Sequence, residues 1–508
     1  MAFEEMINDL NERKNQALGM GGSEKIEKRK AQGYLNARER IDYLLDDGSF
    51  IESGLLATAA REEVRHKSHA DGKITGYGTI DKRPVALVSN DFTVLGASSS
   101  AINMKKMRHM KKVAIERGIP WILLGESTGA RVPDRMGAAG RATMGHDPTE
   151  YRRMREVPMV SALLGECYGS STWYTCISDF RIMRKGSRMA VASNRVTSIA
   201  IGQPVDPEEL GGWKLHSEIT GLVDRVVETD EEALDVIKKL LSYLPSNSKE
   251  LPPEYPVPEG SGEDAENILD ILPEAKNRVY DVHDIIRVII DKDSLFELKQ
   301  DFGTPLVTAF ARINGKSVGI IANNPKSKSG AIDVDATRKV TNFIVQSDSF
   351  NIPLVFLVDQ PGFLIGVDGE RRAAPGRIMN WMNALQLTTV PKMTVIMRKD
   401  YGQAYLNMCG GQTSSEVILW PTADLGFMDP AVAVNILFGV REKDNPEKYH
   451  QLKSQVERNT SAYDLAGHYE GHMVIDPRET RNVLINLLEI HRRNSIGEHM
   501  LRNWPTSY

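Results

Sequence analysis

Cysteine is scarce in this 508-residue chain, and the three that occur, Cys167, Cys176 and Cys409, never form a Cys-x-x-Cys pair. Their number and spacing exclude a disulfide framework and a four-thiolate zinc site, and they suit a reducing compartment. An excess of one charge is also missing, because 63 lysines and arginines stand against 68 aspartates and glutamates, for a net charge of −5. Nucleic acid or an anionic membrane therefore cannot be held by charge alone, and any phosphate site must be local.

Long apolar runs are missing as well. The N-terminal segment, MAFEEMINDLNERKNQALGMGG, carries charges every few positions, unlike a signal peptide. No later stretch of about 18 apolar residues reads as a membrane span. We expect a cytoplasmic protein without direct membrane insertion. A P-loop and a G-x-G-x-x-G fingerprint after a strand are absent too, so these motifs do not support ATP or NAD binding.

The chain does have an ordinary globular composition, with 41% hydrophobic, 26% charged and 7% aromatic residues. This composition argues against disorder, collagen and coiled coil, and the length predicts about two to four domains. A segment rich in proline, glycine and charge, 244–263, splits the chain nearly in half and is typical of an exposed linker. We expect an N-terminal domain over 1–250 and a C-terminal domain over 263–508.

The two halves repeat one another at a single offset in residue number, 313 − 80 = 233, which aligns three separate segments without a gap. Each segment contains a β-rich apolar run, and stretches of helical period such as 102–117 and 374–387 lie between these runs. The aligned pairs are 80–91 with 313–324, 119–132 with 352–365, and 157–172 with 390–405. The repeat predicts a duplicated pair of α/β domains with mostly buried strands.

Two loops at equivalent positions carry the first candidate site, Tyr168-Gly169-Ser170-Ser171 and Tyr401-Gly402-Gln403-Ala404. Each follows a buried strand and precedes a helix-like stretch, where backbone N–H groups at a helix N-terminus point at a bound anion or oxyanion. Small residues let a ligand approach the backbone closely. An ordinary strand-to-helix turn is the alternative, but the duplication suggests two equivalent sites.

Three other motifs have competing explanations. The string GESTG at 125–129 has the nucleophile-elbow pattern around Ser127, but the second half keeps the turn without a serine, which weakens a serine hydrolase. His468 and His472 have i,i+4 spacing, yet the neighbouring glycines and proline favour a loop over a metal site. The basic stretch 104–112 has the charge to meet nucleotide phosphates, and we favour a solvated helix face.

Long strings of the chain resemble the carboxyltransferase subunits of biotin-dependent acyl-CoA carboxylases, close to the propionyl-CoA carboxylase β subunit and the large subunit of transcarboxylase. Among them are NARERIDYLLDDGSFIESG at 36–54, FNIPLVFLVDQPGFLIG at 350–366 and WPTADLGFMDPAVAVNILF at 420–438. The resemblance covers nearly the whole chain. It implies two tandem crotonase-like (ClpP/crotonase) domains, which agrees with the duplication.

The chemistry that this resemblance implies is transfer of a carboxyl group from carboxybiotin to the α-carbon of an acyl-CoA through a thioester enolate. Negative charge then develops on two oxygens, so two oxyanion holes are needed and no side-chain base is obligatory. By resemblance, the amides of Gly169 and Ser170 form the hole for the thioester oxygen. The amides of Gln403 and Ala404 form the hole for the biotin ureido oxygen.

The remaining site residues follow from the same resemblance. Those expected at the CoA and acyl group are Gly129, Ala130, Arg131, Tyr168 and Leu406, and those expected at biotin are Gly362, Phe363, Tyr401 and Gly402. The first half departs from the usual family pattern at positions such as Glu126, Glu166 and Asn194, and Gln403 departs in the second. These departures predict an unusual acyl group.

The resemblance also implies partners. Biotin is expected on a carrier protein rather than on this chain, coenzyme A arrives with the substrate, and no metal is expected. A biotin carboxylase and a biotin carboxyl carrier subunit or domain are the expected partners, and a homo-oligomer, by family a hexamer, is the expected assembly. A biotin-dependent decarboxylase subunit running the transfer backwards and a catalytically silent scaffold subunit stay open as alternatives.

Overall fold

The computed structural model describes residues 2–142, 150–153, 155–276, 278–492, 496–498 and 500–505. The chain divides into two compact units, Met1–Lys249 and Glu250–Ser507. The division falls inside 244–263, a segment of turns, bends and irregular backbone that contains neither a helix nor a strand. Each unit consists of one sheet with helices packed around it.

The first unit contains strands β1 (Ile51–Glu52), β2 (Lys73–Ile80), β3 (Arg83–Asn90), β4 (Trp121–Ser127), β5 (Met159–Tyr168), β6 (Phe180–Arg184), β7 (Arg188–Ala190) and β8 (Arg225–Val227). Its helices are α1 (Ala2–Leu18), α2 (Ser23–Lys30), α3 (Ala37–Leu44), α4 (Glu62–Arg65), α5 (Ala101–Arg117), α6 (Val132–Arg135), α7 (Gly137–Ala142), α8 (Ser170–Ile177), α9 (Asn194–Ile201), α10 (Pro207–Gly211) and α11 (Asp230–Leu241). The described strands pair in the order β1-β2-β3-β4-β5-β6-β8, and β7 pairs with the end of β5. From β3 onwards every pairing is parallel.

The second unit contains strands β9 (Phe296–Leu298), β10 (Leu306–Ile313), β11 (Lys316–Asn323), β12 (Leu354–Gln360), β13 (Lys392–Tyr401), β14 (Glu416–Leu419), β15 (Asp424–Gly426) and β16 (Met473–Val474). Its helices are α12 (Ile268–Ile271), α13 (Val282–Ile289), α14 (Val334–Ser349), α15 (Val367–Arg371), α16 (Ala374–Leu387), α17 (Ala404–Asn407), α18 (Pro430–Phe438), α19 (Pro446–Val456), α20 (Ala462–Gly467) and α21 (Thr480–His491). The described strands pair in the order β16-β14-β13-β12-β11-β10-β9, and β15 pairs with the end of β13.

The predicted α/β class and the internal duplication are confirmed. Strands β10 to β13 repeat β2 to β5 at the predicted offset at every boundary, for instance 392 − 159 = 233 and 401 − 168 = 233. Even an irregularity is repeated, because the β4–β5 register shifts between Gly125 and Ser127 and the β12–β13 register shifts between Val358 and Gln360. The two units therefore present the ends of equivalent strands in the same way.

Local sequence explains where the helix behind the first sheet begins and ends. The Ser100 hydroxyl oxygen accepts a hydrogen bond from the Asn103 N–H, and the Asn103 side chain accepts from the Ser100 N–H, so a capping box starts α5. Gly118, at φ 66°, ends the helix in the left-handed conformation that favours glycine. Between these ends, three methionines of α5 pack on the apolar strand residues Val88, Trp121 and Leu123. Strands buried on both faces are near-continuously apolar for this reason.

Candidate active site

The loop after β5 presents two free backbone donors. Gly169 lies between the last residue of β5 and the first of α8, at φ 63° and ψ −125°, a conformation that a side chain would strain. Among the described residues, no acceptor takes the N–H groups of Gly169 or Ser170. The first N–H groups of a helix have no partner inside it and carry partial positive charge. The loop can therefore bind an oxygen that carries negative charge.

A second loop of the same unit, 129–131, lies against these donors. The carbonyl of Gly129 accepts from the Ser99 N–H at 2.8 Å, and the Arg131 N–H donates to the Ser99 carbonyl at 2.9 Å. A Cβ atom placed on Gly169 would lie 3.4 Å from the Cα of Gly129 and 3.6 Å from the nitrogen of Ala130. The structure thus brings Gly129, Ala130 and Gly169 close together.

Two first-unit candidates, Arg131 and Tyr168, have buried side chains. The Arg131 guanidinium is buried and donates to Asp71 at 2.6 Å and to the Ser98 carbonyl at 3.2 Å. Tyr168 is buried too, and burial raises its pKa to about 12. Arg131 is thus committed to an internal ion pair, so the loop offers a ligand its backbone rather than this charge.

Among the described residues, the Ser127 hydroxyl contacts only backbone groups and no side chain that could act as a base. It is fully buried, its hydroxyl donates to the Ala97 carbonyl at 3.1 Å, and it accepts from the Gly129 N–H at 3.1 Å. Its neighbour Glu126 is paired with Arg40 at 3.1 Å and also contacts Arg29. Burial raises the pKa of Glu126, although both arginines oppose that shift. Ser127 therefore holds the 129–131 loop, and the serine-hydrolase alternative loses its geometric basis.

The second unit repeats the donor loop with a shift of one residue. Gly402, at φ 67°, donates its N–H to the Gly426 carbonyl at 2.9 Å, whereas Gly169 donates to no described acceptor. The free N–H groups here belong to Gln403 and Ala404, which have no acceptor among the described residues. These are the two amides that the resemblance assigns to the second hole. Leu406 follows on α17 and is 36% exposed.

The loop at Gly362 and Phe363 matches the 129–131 loop of the first unit. Ile332 donates to the Gly362 carbonyl at 3.0 Å and accepts from the Leu364 N–H at 2.8 Å. Ile332 is the equivalent of Ser99, because 332 − 99 = 233. Each unit therefore builds its donor loop beside a second loop with the same backbone pairing.

Tyr401 is an anchor of the second donor loop rather than an exposed group. It is buried, and its phenol donates to Asp424 at 2.7 Å. Burial and this carboxylate raise its pKa well above the ordinary tyrosine value. Two further anchors of the loop, Gln360 and Asp400, were not predicted from the sequence. Their one signal in the sequence is a polar residue at the end of an apolar strand run.

The predicted solvated basic face at 104–112 is partly wrong. Lys106 is buried in α5 and donates to the carbonyls of Gly54 at 3.0 Å and Ala70 at 2.9 Å. Burial lowers its pKa to about 8. Lys111 is buried as well and donates to the Glu150 carbonyl at 2.7 Å. These two ammonium groups donate hydrogen bonds to backbone carbonyls inside the first unit. They are therefore not available to a nucleotide.

The two histidines of the predicted motif lie outside any helix, as expected. His468 follows the end of α20, and His472 lies in the loop before β16, where its Nδ1 is 2.9 Å from a carboxylate oxygen of Glu416. Over the described ranges, no cluster of three or more His, Cys, Asp or Glu side chains has the arrangement of a metal site. In the same ranges, no helix combines the length and apolar character that crossing a membrane requires.

The chain is similar to carboxyl transferases and related decarboxylase subunits over nearly its whole length. Residues 28–503 match the family model described as the carboxyl transferase domain. The chain is 36% identical over 498 residues to the carboxyltransferase subunit of propionyl-CoA carboxylase from Haloferax mediterranei, covering 96% of each chain. It is 34% identical over 491 residues to the α subunit of methylmalonyl-CoA decarboxylase from Veillonella parvula, covering 96% of this chain and 95% of the relative.

A solved structure is similar over the same length. The crystal structure of transcarboxylase 12S, described as a hexamer assembly with methylmalonyl-coenzyme A and methylmalonic acid bound, aligns at a TM-score of 0.89. The two sequences are 34% identical, and the match covers 96% of each chain. The similarities in fold, in length and in sequence therefore indicate the same relatives.

Proposed function

Because this chain belongs to the carboxyl transferase domain family of biotin-dependent acyl-CoA carboxylases and decarboxylases, we propose that it transfers a carboxyl group from carboxybiotin to the α-carbon of an acyl-CoA. One observation carries the proposal: each unit has a pair of backbone N–H groups without an acceptor among the described residues, at equivalent strand ends. Two pairs of donors match a reaction in which two oxygens gain negative charge.

The first pair, from Gly169 and Ser170, stabilises the thioester oxygen as it becomes an enolate oxygen. The second pair, from Gln403 and Ala404, stabilises the ureido oxygen of biotin. When bound with its ureido oxygen at Gln403 and Ala404, carboxybiotin would supply the CO₂ lost from its ureido nitrogen, and that nitrogen would serve as the base for the α-proton. The chain supplies donors that are already oriented, which is where such sites gain most of their rate.

The protein's other contribution is to fix the loops that carry these donors. In the first unit, the Ser127 hydroxyl and the Ser99 backbone hold the 129–131 loop beside Gly169. This loop, with Tyr168, is proposed to flank the coenzyme A part of the substrate, and Leu406 is proposed to line the acyl pocket. In the second unit, Gly362 and Phe363 with Tyr401 and Gly402 are proposed to flank biotin.

We further propose that biotin reaches this chain on a carrier subunit or domain that a biotin carboxylase loads, and that the chain works as a homo-oligomer. Transcarboxylase 12S, at 34% identity over 96% of the chain, assembles as a hexamer, and this supports a hexamer here. Cytoplasmic localisation belongs to the same proposal.

The test is incubation of the purified chain with a carboxylated biotin carrier and a panel of acyl-CoAs, with mass spectrometric detection of the carboxylated thioester. We expect transfer to at least one acyl-CoA, at the carbon next to the thioester. Absence of transfer with every acyl-CoA, by a folded and oligomeric chain, would contradict the proposal and favour a catalytically silent scaffold subunit.

Decarboxylation is a second candidate, because a methylmalonyl-CoA decarboxylase α subunit is about as similar to this chain as a carboxylase subunit is, at 34% against 36% identity. The same donors stabilise the transition state in both directions. Incubating the chain with methylmalonyl-CoA and an uncarboxylated biotin carrier measures transfer in this direction, and its rate is compared with that of the forward assay.

A further inference from the structure

A buried amide and a buried carboxyl group lie directly beneath the second donor loop. Gln360 is the last residue of β12, and its Cα partner in the parallel pairing with β13 is Asp400. Both side chains are buried. The Gln360 Nε2 donates to Asp400 Oδ1 at 2.5 Å and to the carbonyl oxygen of Tyr401 at 3.1 Å. One side chain therefore holds the peptide that leads into Gly402.

Two polar atoms of this pair lack a partner. Within the described part of the chain, Gln360 Oε1 and Asp400 Oδ2 are buried and make no hydrogen bond. Both are acceptors while Asp400 is ionised, and leaving them unpaired is costly. A proton on Asp400 Oδ2 would convert this oxygen from an acceptor into a donor, and Gln360 Oε1 could accept its hydrogen bond. A carboxylic acid and a primary amide that already share one N–H···O bond can then satisfy each other in both directions.

The surroundings of Asp400 favour the protonated form. Burial is the main cause that raises its pKa to about 7, and the nearby charge of Asp359 adds to it. The guanidinium of Arg398 is committed to Asp359 at 2.9 Å, and the Lys399 N–H also donates to Asp359. Tyr405 of α17 is also near Asp400. Burial and the Asp400 carboxylate raise the pKa of this phenol to about 12.

The first unit lacks this device. The residues equivalent to Gln360 and Asp400 are Ser127 and Cys167, since 360 − 127 and 400 − 167 both equal 233. Ser127 bonds to the backbone of Ala97 and Gly129, and no described side chain donates to the Tyr168 carbonyl. The pair is therefore specific to the loop whose free donors are displaced by one residue.

We propose that Gln360 and Asp400, as a neutral hydrogen-bonded pair, are positioning residues that fix the Tyr401–Gly402 peptide and thereby aim the N–H groups of Gln403 and Ala404. This inference rests on the proposed function of those two donors. The loop is held at three points, because Gln360 binds the Tyr401 carbonyl, Asp424 binds the Tyr401 phenol and the Gly426 carbonyl binds the Gly402 N–H. Of these three contacts, the Gln360 contact is the one that involves Asp400, whose pKa burial raises to about 7.

The first experiment follows the loop itself and needs no substrate. Hydrogen exchange of the segment 401–407 is measured by mass spectrometry in the wild type, Gln360→Leu and Asp400→Asn, and the equivalent segment 168–174 is the internal control. We expect Gln360→Leu to accelerate exchange in 401–407 alone. Wild-type exchange there should accelerate, beyond the intrinsic pH dependence seen in 168–174, as pH rises through about 7. In Asp400→Asn, which keeps an uncharged amide at this place, that extra acceleration should be absent.

The second experiment follows transfer. A misplacement of about 1 Å costs about 10²-fold in rate, so Gln360→Leu should lower kcat roughly ten- to a hundredfold and leave KM for the acyl-CoA unchanged. Wild-type kcat should decline as pH rises through about 7, and Asp400→Asn should lose this decline. Thr480→Val is the matched control, because it removes a buried hydrogen bond from Trp420 elsewhere in the unit and should change neither profile.

The outcomes separate the two proposals. If the wild type transfers carboxyl groups but both variants keep its exchange rates and its pH profile, the positioning role is overturned and the proposed function stands. If the wild type transfers to no acyl-CoA while exchange in 401–407 responds as expected, the pair still fixes the loop and the proposed function fails. Equal acceleration of 168–174 in Gln360→Leu would reveal general destabilisation and would also overturn the inference.

Discussion

Ser170 is the residue at which a backbone donor can be removed most cleanly. It is the first residue of α8, the position where proline is tolerated because the missing N–H has no partner inside the helix. The preceding Gly169 is outside the helical region, at ψ −125°, so proline does not force a helical neighbour into another conformation. Ser170→Pro therefore deletes one N–H and leaves the helix start in place.

The expected magnitudes differ strongly between stability and catalysis. Folding loses the contact between the Ser170 and Ser99 hydroxyls, which is worth about 1 kcal/mol. Catalysis loses one of the two donors proposed for the thioester oxygen, and such a loss typically lowers kcat by about 10²–10³, or about 2.7–4 kcal/mol. The variant should thus unfold at nearly the wild-type denaturant concentration and transfer carboxyl groups at least a hundredfold more slowly.

The matched control is Ser170→Ala, which loses the same hydroxyl contact but keeps the N–H. Transfer to the best acyl-CoA is measured for both variants under saturating substrate, together with circular dichroism and sedimentation. Ser170→Ala should retain most activity. If Ser170→Pro stays within tenfold of the wild type, or if Ser170→Ala falls as far as the proline variant, the N–H of Ser170 does not stabilise the thioester oxygen.

Three further predictions concern the second donor loop, the cofactor and the assembly. Gln403→Ala should keep most transfer, whereas Ala404→Pro should lose about 10²–10³ of kcat, since only the second change removes a backbone donor. Equal losses would instead give the Gln403 side chain a direct role. An avidin blot of the chain made in cells with active biotin ligase should be blank, and a strong band would contradict delivery by a partner. Sedimentation should give an oligomer, and a monomer that is active in transfer would refute that expectation.

Much of the fold could be predicted from the sequence, because the patterns that specify it are short and occur twice. The Ile-Pro and Val-Pro pairs that precede β4 and β5, the apolar runs of both strands and the Tyr-Gly at the end of β5 recur at β12 and β13 at one constant shift. Strand hydrophobicity depends on burial of both faces, and glycine after the strand depends on a positive φ, so both leave a direct trace in the sequence. The helices 101–117 and 374–387 were predicted at nearly their observed bounds for the same kind of reason.

The contacts of polar side chains could not be predicted in this way. Lys106 and Lys111 belong to a stretch whose charge pattern favours a solvated face, yet both are buried among carbonyls. The carbonyls of Gly54 and Ala70 come from distant parts of the chain, and only the assembled unit brings them to α5. Arg131 likewise forms an ion pair with Asp71, sixty residues earlier in the chain.

The sequence by itself determined the duplicated α/β architecture, the positions of the two Tyr-Gly loops and the family resemblance, because each depends on residue types at short spacing. Only the tertiary structure decided which N–H groups of those loops are free. Gly402 loses its donor to Gly426, so the second pair begins one residue later than the first. The structure alone also paired Gln360 with Asp400, since two strands forty residues apart must align before the amide can donate to the carboxyl group.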